Sequence, residues 1–281
     1  QSGAHVYELD EHRVLKVVFR EEVQDDSLWA AYEKEALFYE HCKEKFLPKV
    51  YVNIHTDREI FIIMEKYQPL EREQLNADML QKVMDTLVKI HMLKTPEFLP
   101  GEERQPTVFD NDVMMECLSG WQCVLEEHQG AFDTTSLMKI QKSINMWNRC
   151  FFDKKVCFNH GDFHFENLLS DVSGNLVVVD WQNCGIGNRA GDISFLLSRL
   201  SADGYALEQD EVIKMYCESA RMVGLEVEPK VIRQQMCLTN LNTSFRYWHQ
   251  YLHGSSEERV RDIYEKMVAD AKELAGVDEF T

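Results

Sequence analysis

Residues 156–197 read VCFNHGDFHFENLLSDVSGNLVVVDWQNCGIGNRAGDISFLL, and they decide the fold. Two apolar segments, Val156 to Phe158 and Leu176 to Val179, have the length and composition of strands. The loop between them carries His160, Asp162, His164, Glu166 and Asn167, and the second strand runs straight into Asp180. Apolar strands that deliver carboxylates and an amide to one end suit a divalent cation and a phosphate better than they suit a plain core.

Two chemistries compete for this loop. His160, Asp162 and His164 alternate, so on an extended strand all three would project to one side and could ligate zinc or iron. Such iron sites sit in barrels of many strands, however, and the sequence after residue 160 has too few strands and too many helices. Phosphoryl transfer accounts for more of the residues. It needs a carboxylate to orient and deprotonate an attacking hydroxyl, oxygen ligands for Mg2+, and a cation on the nucleotide phosphates. Asp162 supplies the first, Asn167 with Asp180 the second, and Lys16, with Glu35 to hold it, the third.

Lys16 stands out in its own segment. Residues 5–20, HVYELDEHRVLKVVFR, alternate like two strands joined by a polar turn at Asp10 to His12. A lysine centred in that pattern either lies on a solvated face or has a carboxylate or phosphate partner, because burying an unpaired ammonium is expensive. Ser27 can cap a helix to about Lys45 that carries Glu33 and Glu35, and Lys49 to Asn53 and Glu59 to Met64 read as two more strands. The order strand, strand, helix, strand, strand predicts a small antiparallel sheet with one helix laid against it. MEKYQPL at 64–70 breaks the pattern with charge and a proline, which predicts an N-terminal lobe of residues 1–67 and a larger, mainly helical lobe of residues 68–281. Helical spacing then follows an Asn76 cap, and further helices are expected over 111–128, 136–152, 192–201, 209–223, 229–252 and 257–274.

Composition narrows the function classes. No apolar run approaches the roughly 18 residues needed to cross a bilayer, and QSGAHVYELDEH has no charged-then-apolar signal pattern, so a cytoplasmic protein with no membrane partner is expected. The chain opens on Gln1 rather than Met, which leads to the expectation that some sequence precedes it. Eight cysteines with no C-x-x-C pair argue against a zinc knuckle and for reduced, mostly buried thiols. A formal charge of -18, from 30 basic and 48 acidic residues, opposes nucleic acid and would attract cationic small molecules or metal ions; equally, the acids could serve only solubility.

H-G-D-x-x-x-x-N at His160 to Asn167, an apolar strand ending in Asp180, and the G-D-I-S-F-L run from Gly191 resemble the aminoglycoside phosphotransferase and choline kinase family of small-molecule kinases, and more distantly protein kinases. The resemblance extends outward. QSGAHVYEL is similar to the family's phosphate-covering loop, VLKVV to its lysine strand, KEALFYE to the helix carrying the lysine's partner, and FIIMEKY to the strand leading into the hinge. It implies an α+β, two-lobed protein-kinase-like fold, and a Mg2+-dependent kinase that moves the γ-phosphate of ATP or GTP to a hydroxyl of a small, cationic acceptor, an aminoglycoside-type antibiotic or an amino-alcohol or amino-sugar metabolite.

Residue by residue, the resemblance makes Asp162 the catalytic acceptor and Asn167 and Asp180 the Mg2+ ligands. Lys16 and Glu35 become the ion pair on the α and β phosphates, Ser2 and Gly3 belong to the phosphate loop, and backbone near Glu65 to Tyr67 would hold the adenine. His160 and Asp192 become structural support for the catalytic loop, while His164 and Glu166 face either substrate or solvent. Two departures matter. Asp180 is followed by WQN, with the next helix expected at Asp192, which leaves no room for an activation segment and ranks protein substrates low. The glycine loop is thin, with only Gly3 available for close approach to phosphate, and the strand that should precede it is absent. That second departure motivates the alternative of a non-catalytic nucleotide-binding module, although such a module would not need Asp162.

Overall fold

Alternation in RVLKVVF builds the first sheet. In the computed structural model, which describes residues 3–71, 75–99, 105–152, 156–205 and 207–276, β1 (Ala4–Glu8), β2 (Arg13–Phe19), β3 (Val50–His55) and β4 (Glu59–Glu65) form an antiparallel sheet in the order β1-β2-β4-β3. Register sets Val18 opposite Ile60 and Lys16 opposite Ile62, so one face carries Val18, Ile60 and Ile62, each 1% exposed, together with Lys16. Helix α1 (Asp26–His41) supplies Tyr32, Glu35, Ala36 and Tyr39 as buried residues, and Asn53 Nδ2 of β3 donates to its Ala36 carbonyl at 2.7 Å. Asp25 rather than Ser27 caps the helix, accepting from the Ser27 N–H at 2.8 Å. The helix stops short of Lys45 because Cys42 turns extended and the chain dives inward, burying Phe46 and Leu47.

The same contact unit, residues 1–101 with 156–227, continues past the sheet. It holds β5 (Gln68–Pro69), α2 (Ala77–His91), β6 (Cys157–Asn159), β7 (Leu168–Ser170), β8 (Leu176–Val178), β9 (Gly185–Gly187), α5 (Arg189–Ala202) and α6 (Gln209–Met222). β5, β7 and β8 form one small antiparallel sheet, and β6 and β9 another. A wedge of rings joins these pieces to α1. Phe38 stacks on Trp181 with centroids 4.3 Å apart and on Phe158 at 5.3 Å, and the Trp181 indole N–H donates to Val178 O at 2.9 Å.

The second unit, residues 102–155 with 228–281, is helical: α3 (Asn111–Glu126), α4 (Thr135–Cys150), α7 (Pro229–Thr243), α8 (His249–Leu252) and α9 (Glu257–Ala275). Trp121, Ile140, Ile144, Leu241, Phe245 and Met267 are fully buried in its core. The helix expected over 229–252 is interrupted by a wider π-turn at Ser244–Trp248, where Phe245 O accepts the Trp121 indole N–H at 3.1 Å. The fold is thus α+β, a small antiparallel sheet with one helix followed by a mainly helical remainder. Among the described residues no helix is long and apolar enough to cross a membrane.

Trp181 is fully buried, so Trp181→Ala should lower unfolding free energy by about 3–5 kcal/mol in a urea titration; a loss below about 1 kcal/mol would contradict the ring wedge.

Candidate active site

The loop after β6 turns at a position only glycine tolerates. Gly161 has φ +80°, and a Cβ there would lie 2.1 Å from the Asn183 carbonyl oxygen. His160 and Asp162 therefore do not sit on an extended strand, and the alternating three-ligand geometry does not form. Both ring nitrogens of His160 are occupied: Nε2 donates to Val179 O at 2.9 Å and Nδ1 accepts from the Asp162 N–H at 3.2 Å. The ring is fully buried, edge-on to Trp181 at 4.5 Å, and burial holds its pKa below the ordinary value despite the nearby charge of Asp192. Among the described residues no group of three or more His, Cys, Asp or Glu is placed to hold a metal ion.

Asp192 organises the loop. α5 starts at Arg189, earlier than expected, because Asn188 caps it by accepting from the Gly191 N–H at 2.8 Å. That places Asp192 in the first turn, 2% exposed, where its carboxylate accepts from His160 N–H at 2.9 Å, Gly161 N–H at 2.9 Å and Asn159 Nδ2 at 3.2 Å. Burial alone would raise its pKa; the His91 hydrogen bond and charge, then His160 and the Gly161 N–H, hold it below the ordinary carboxylate value. His91, at the end of α2, donates from Nε2 to Asp192 at 3.2 Å, and its Nδ1 accepts from the Tyr216 hydroxyl of α6 at 2.7 Å. Burial keeps that phenol protonated, pushing its pKa far above the usual value. His91 and Tyr216 were not singled out by sequence, since each reads as one more residue on an apolar helix face.

Lys16 has the partners its position demands. Its ammonium donates to Glu35 Oε2 at 2.6 Å and to Asp180 Oδ1 at 2.9 Å, with the lysine side chain 13% and Glu35 1% exposed. Burial works to lower its pKa, but Glu35 and Asp180 outweigh it and hold the ammonium above its ordinary value. The Tyr39 hydroxyl lies near the same two carboxylates. Its pKa is raised well above normal by burial first and then by their charge.

Asp180 and Asn167 are brought together by backbone pairing. Leu168 faces Val178 across β7 and β8, and the Val179 N–H donates to Asn167 O at 3.1 Å. Asp180 adopts φ +66°, a left-handed backbone that aspartate tolerates better than most residues, and its Oδ1 faces Lys16. Asn167 Nδ2 donates to Asp162 O at 2.9 Å and lies 3.5 Å from Asp162 Oδ2, while the Asp162 side chain is 23% exposed. The amide oxygen of Asn167 and the carboxylate of Asp180 are hard oxygen donors, which fits Mg2+ in chemistry.

The remaining predicted residues are less convergent. Ser2 lies outside the described residues. Gly3 has φ +69°, and a Cβ there would meet Val23 at 2.9 Å, so its place before β1 also favours glycine. Tyr67 donates its hydroxyl to Glu65 Oε2 at 2.9 Å and accepts the Lys49 N–H at 3.0 Å, and burial together with Glu65 raises its pKa to about 12. The N–H groups of Glu65 and Lys66 are occupied by Lys49 O and His12 O, so a base at this edge would meet other backbone atoms.

A family model described as the phosphotransferase enzyme family matches residues 9–228. The chain belongs to this family. Among solved structures the phosphotransferase resembles an ADP-bound aminoglycoside phosphotransferase, APH(2'')-Ib, with TM-score 0.57 and 21% identity over 97% of this chain and 91% of that one. It also resembles a gentamicin complex of APH(2'')-IIa, with TM-score 0.54 and 21% identity over 98% and 88% of the two chains. An ethanolamine kinase from Plasmodium vivax follows, with TM-score 0.52 and 13% identity over 95% and 81%. No curated protein matches the chain. The family is one of phosphotransferase enzymes, and the fold is the one these aminoglycoside phosphotransferase and ethanolamine kinase structures share.

Asp192→Asn should cost at least about 2 kcal/mol near neutral pH, because it weakens several hydrogen bonds to one buried charge. A carboxyl with a lowered folded pKa contributes stability that is full above the unfolded value and lost as pH falls through the folded one. The gap between wild type and variant should therefore narrow from about pH 5 to about pH 3 in thermal unfolding, and a gap that widened would contradict the arrangement.

Proposed function

We propose that the protein transfers the γ-phosphate of ATP or GTP to a hydroxyl of a small molecule, with Mg2+ as the metal. The observation that carries this is the Lys16 ammonium held between Glu35 and Asp180, the latter just beyond β8, which pairs with the strand that leaves the Asp162–Asn167 loop. In this reading Lys16 binds the α and β phosphates and Glu35 keeps it extended toward them. Asp162 orients the acceptor hydroxyl and takes its proton as the O–P bond forms. Asn167 and Asp180 hold the Mg2+, which supplies positive charge to the phosphates. Gly3 with Ser2 covers them, backbone near Glu65 and Tyr67 receives the base, and His160 and Asp192 keep the loop in shape. Residues 1–67 act as the nucleotide lobe and 68–281 as the catalytic and acceptor lobe.

A cationic acceptor is supported by the formal charge of -18, and by the presence among the resembling structures of a gentamicin complex and an ethanolamine kinase, both molecules being amines. None of the eight cysteines is joined in a disulfide, which fits the reducing cytoplasm.

Replacing Asp162 with Ala should lower turnover by about 10²–10⁴-fold while Mg2+–ADP binding by calorimetry stays within a few-fold of wild type. Equal turnover in variant and wild type would refute the role. Tight nucleotide binding by a wild type that phosphorylates no acceptor would favour the binding module. Lys16→Ala should weaken nucleotide binding by about tenfold or more and abolish turnover, and unchanged kinetics would reduce Lys16 to a strand residue.

A further inference from the structure

We infer that His164 and Glu166 form a positioning pair that fixes the amide of Asn167 with its oxygen turned toward the Mg2+ site, an inference that rests on the metal role proposed above. Asn167 ends a short turn, Phe165–Asn167, whose backbone closes when its N–H donates to His164 O at 3.0 Å. The side chain is buried, and Nδ2 sits 2.9 Å from Asp162 O. A carbonyl oxygen has no proton to give, so the group facing it must be the NH2. Nδ2 also stands 3.1 Å from His164 Nε2, nearer than Asp162 Oδ2 at 3.5 Å, while Asp162 Oδ1 lies 3.7 Å from that Nε2, beyond hydrogen-bond reach.

That contact sets the state of the imidazole. Nε2 can accept only if it carries no proton, which puts the ring proton on Nδ1, and there Glu166 Oε2 waits at 2.5 Å. The ring is 14% exposed and packs edge-on against Phe195 with centroids 5.8 Å apart, which limits its rotation. Arg199 stands 4.0 Å from the other Glu166 oxygen, both side chains being partly exposed. Glu166 thus selects the Nδ1–H tautomer, the tautomer presents an acceptor to Asn167, and with both amide protons engaged Oδ1 is left for a cation. A flipped amide would set oxygen against Asp162 O and against a ring nitrogen lone pair, two repulsive contacts in place of two hydrogen bonds. His164 is therefore a positioning residue acting through Asn167, as outer partners of metal ligands do. A plain surface ion pair two residues apart would neither fix a tautomer nor touch the amide.

Two measurements test this. Long-range 1H–15N NMR of the metal-free protein at neutral pH, with His164 assigned by the signal lost in His164→Gln, should show Nδ1 protonated and Nε2 bare. An Nε2–H tautomer or a doubly protonated ring would overturn the inference. Mn2+ titrated into the ADP complex and followed by electron paramagnetic resonance should bind about tenfold more weakly to His164→Leu, and within about threefold of wild type to His164→Gln, whose Oε1 can accept at the Nε2 position. Equal affinity in wild type and the leucine variant, or equal losses in both variants, would overturn it. If the leucine variant does not fold, the tautomer and the glutamine variant decide the matter. A wild-type ADP complex that binds no Mn2+ would instead sink the metal reading, and this inference with it, whatever the tautomer.

Discussion

A lysine in the middle of an apolar strand face is the constraint on which the rest of this structure depends. Burial of the Lys16 ammonium is tolerable only with carboxylates in contact, and Glu35 of α1 and Asp180 beyond β8 supply them. Glu35 can reach because α1 packs against β3 and β4, with Asn53 Nδ2 of β3 donating to Ala36 O one residue on. Asp180 can reach because the chain leaves β8 in a left-handed turn. Removing either acid would leave a buried positive charge under-compensated, so sheet register, helix position and loop conformation are tied to one another through a single ammonium.

Asp192 plays the corresponding part for the loop. Its carboxylate gathers the N–H groups of His160 and Gly161 and the Asn159 amide, and His91 of α2, itself held by the Tyr216 hydroxyl of α6, donates to it as well. The loop bearing Asp162 and Asn167 is thereby shaped by hydrogen bonds to one charge rather than by regular structure. That suits a site whose polar groups must be in place before a ligand arrives.

Much of this was legible in the sequence because the signals were local or strongly patterned. The alternation around Lys16, the helix bearing Glu35 and the spacing of Asp162, Asn167 and Asp180 each lie within one short segment. What escaped lies outside such windows. β5, β7 and β9 are two or three residues long, too short to show a period of two. His91 meets Asp192 and Tyr216 across 101 and 125 residues of sequence, where no periodicity reaches. The alternating His-x-Asp-x-His spacing carried no metal geometry because Gly161 bends the chain, and the His160 ring is instead buried with both nitrogens bonded. The π-turn at 244–248 interrupts a segment whose composition is wholly helical, and only its packing against Trp121 marks it.

The central claim is transfer of a phosphoryl group from a nucleoside triphosphate to a small-molecule hydroxyl. The most direct test incubates the protein with ATP or GTP, Mg2+ and a panel of aminoglycosides, choline, ethanolamine, amino sugars and nucleosides, and follows 31P NMR. The account predicts a new phosphomonoester resonance for at least one amine-bearing acceptor, growing in step with nucleoside diphosphate and absent when an amine without a hydroxyl replaces the acceptor. Nucleotide left intact across the whole panel, or hydrolysed to free phosphate at a rate no acceptor changes, would contradict it.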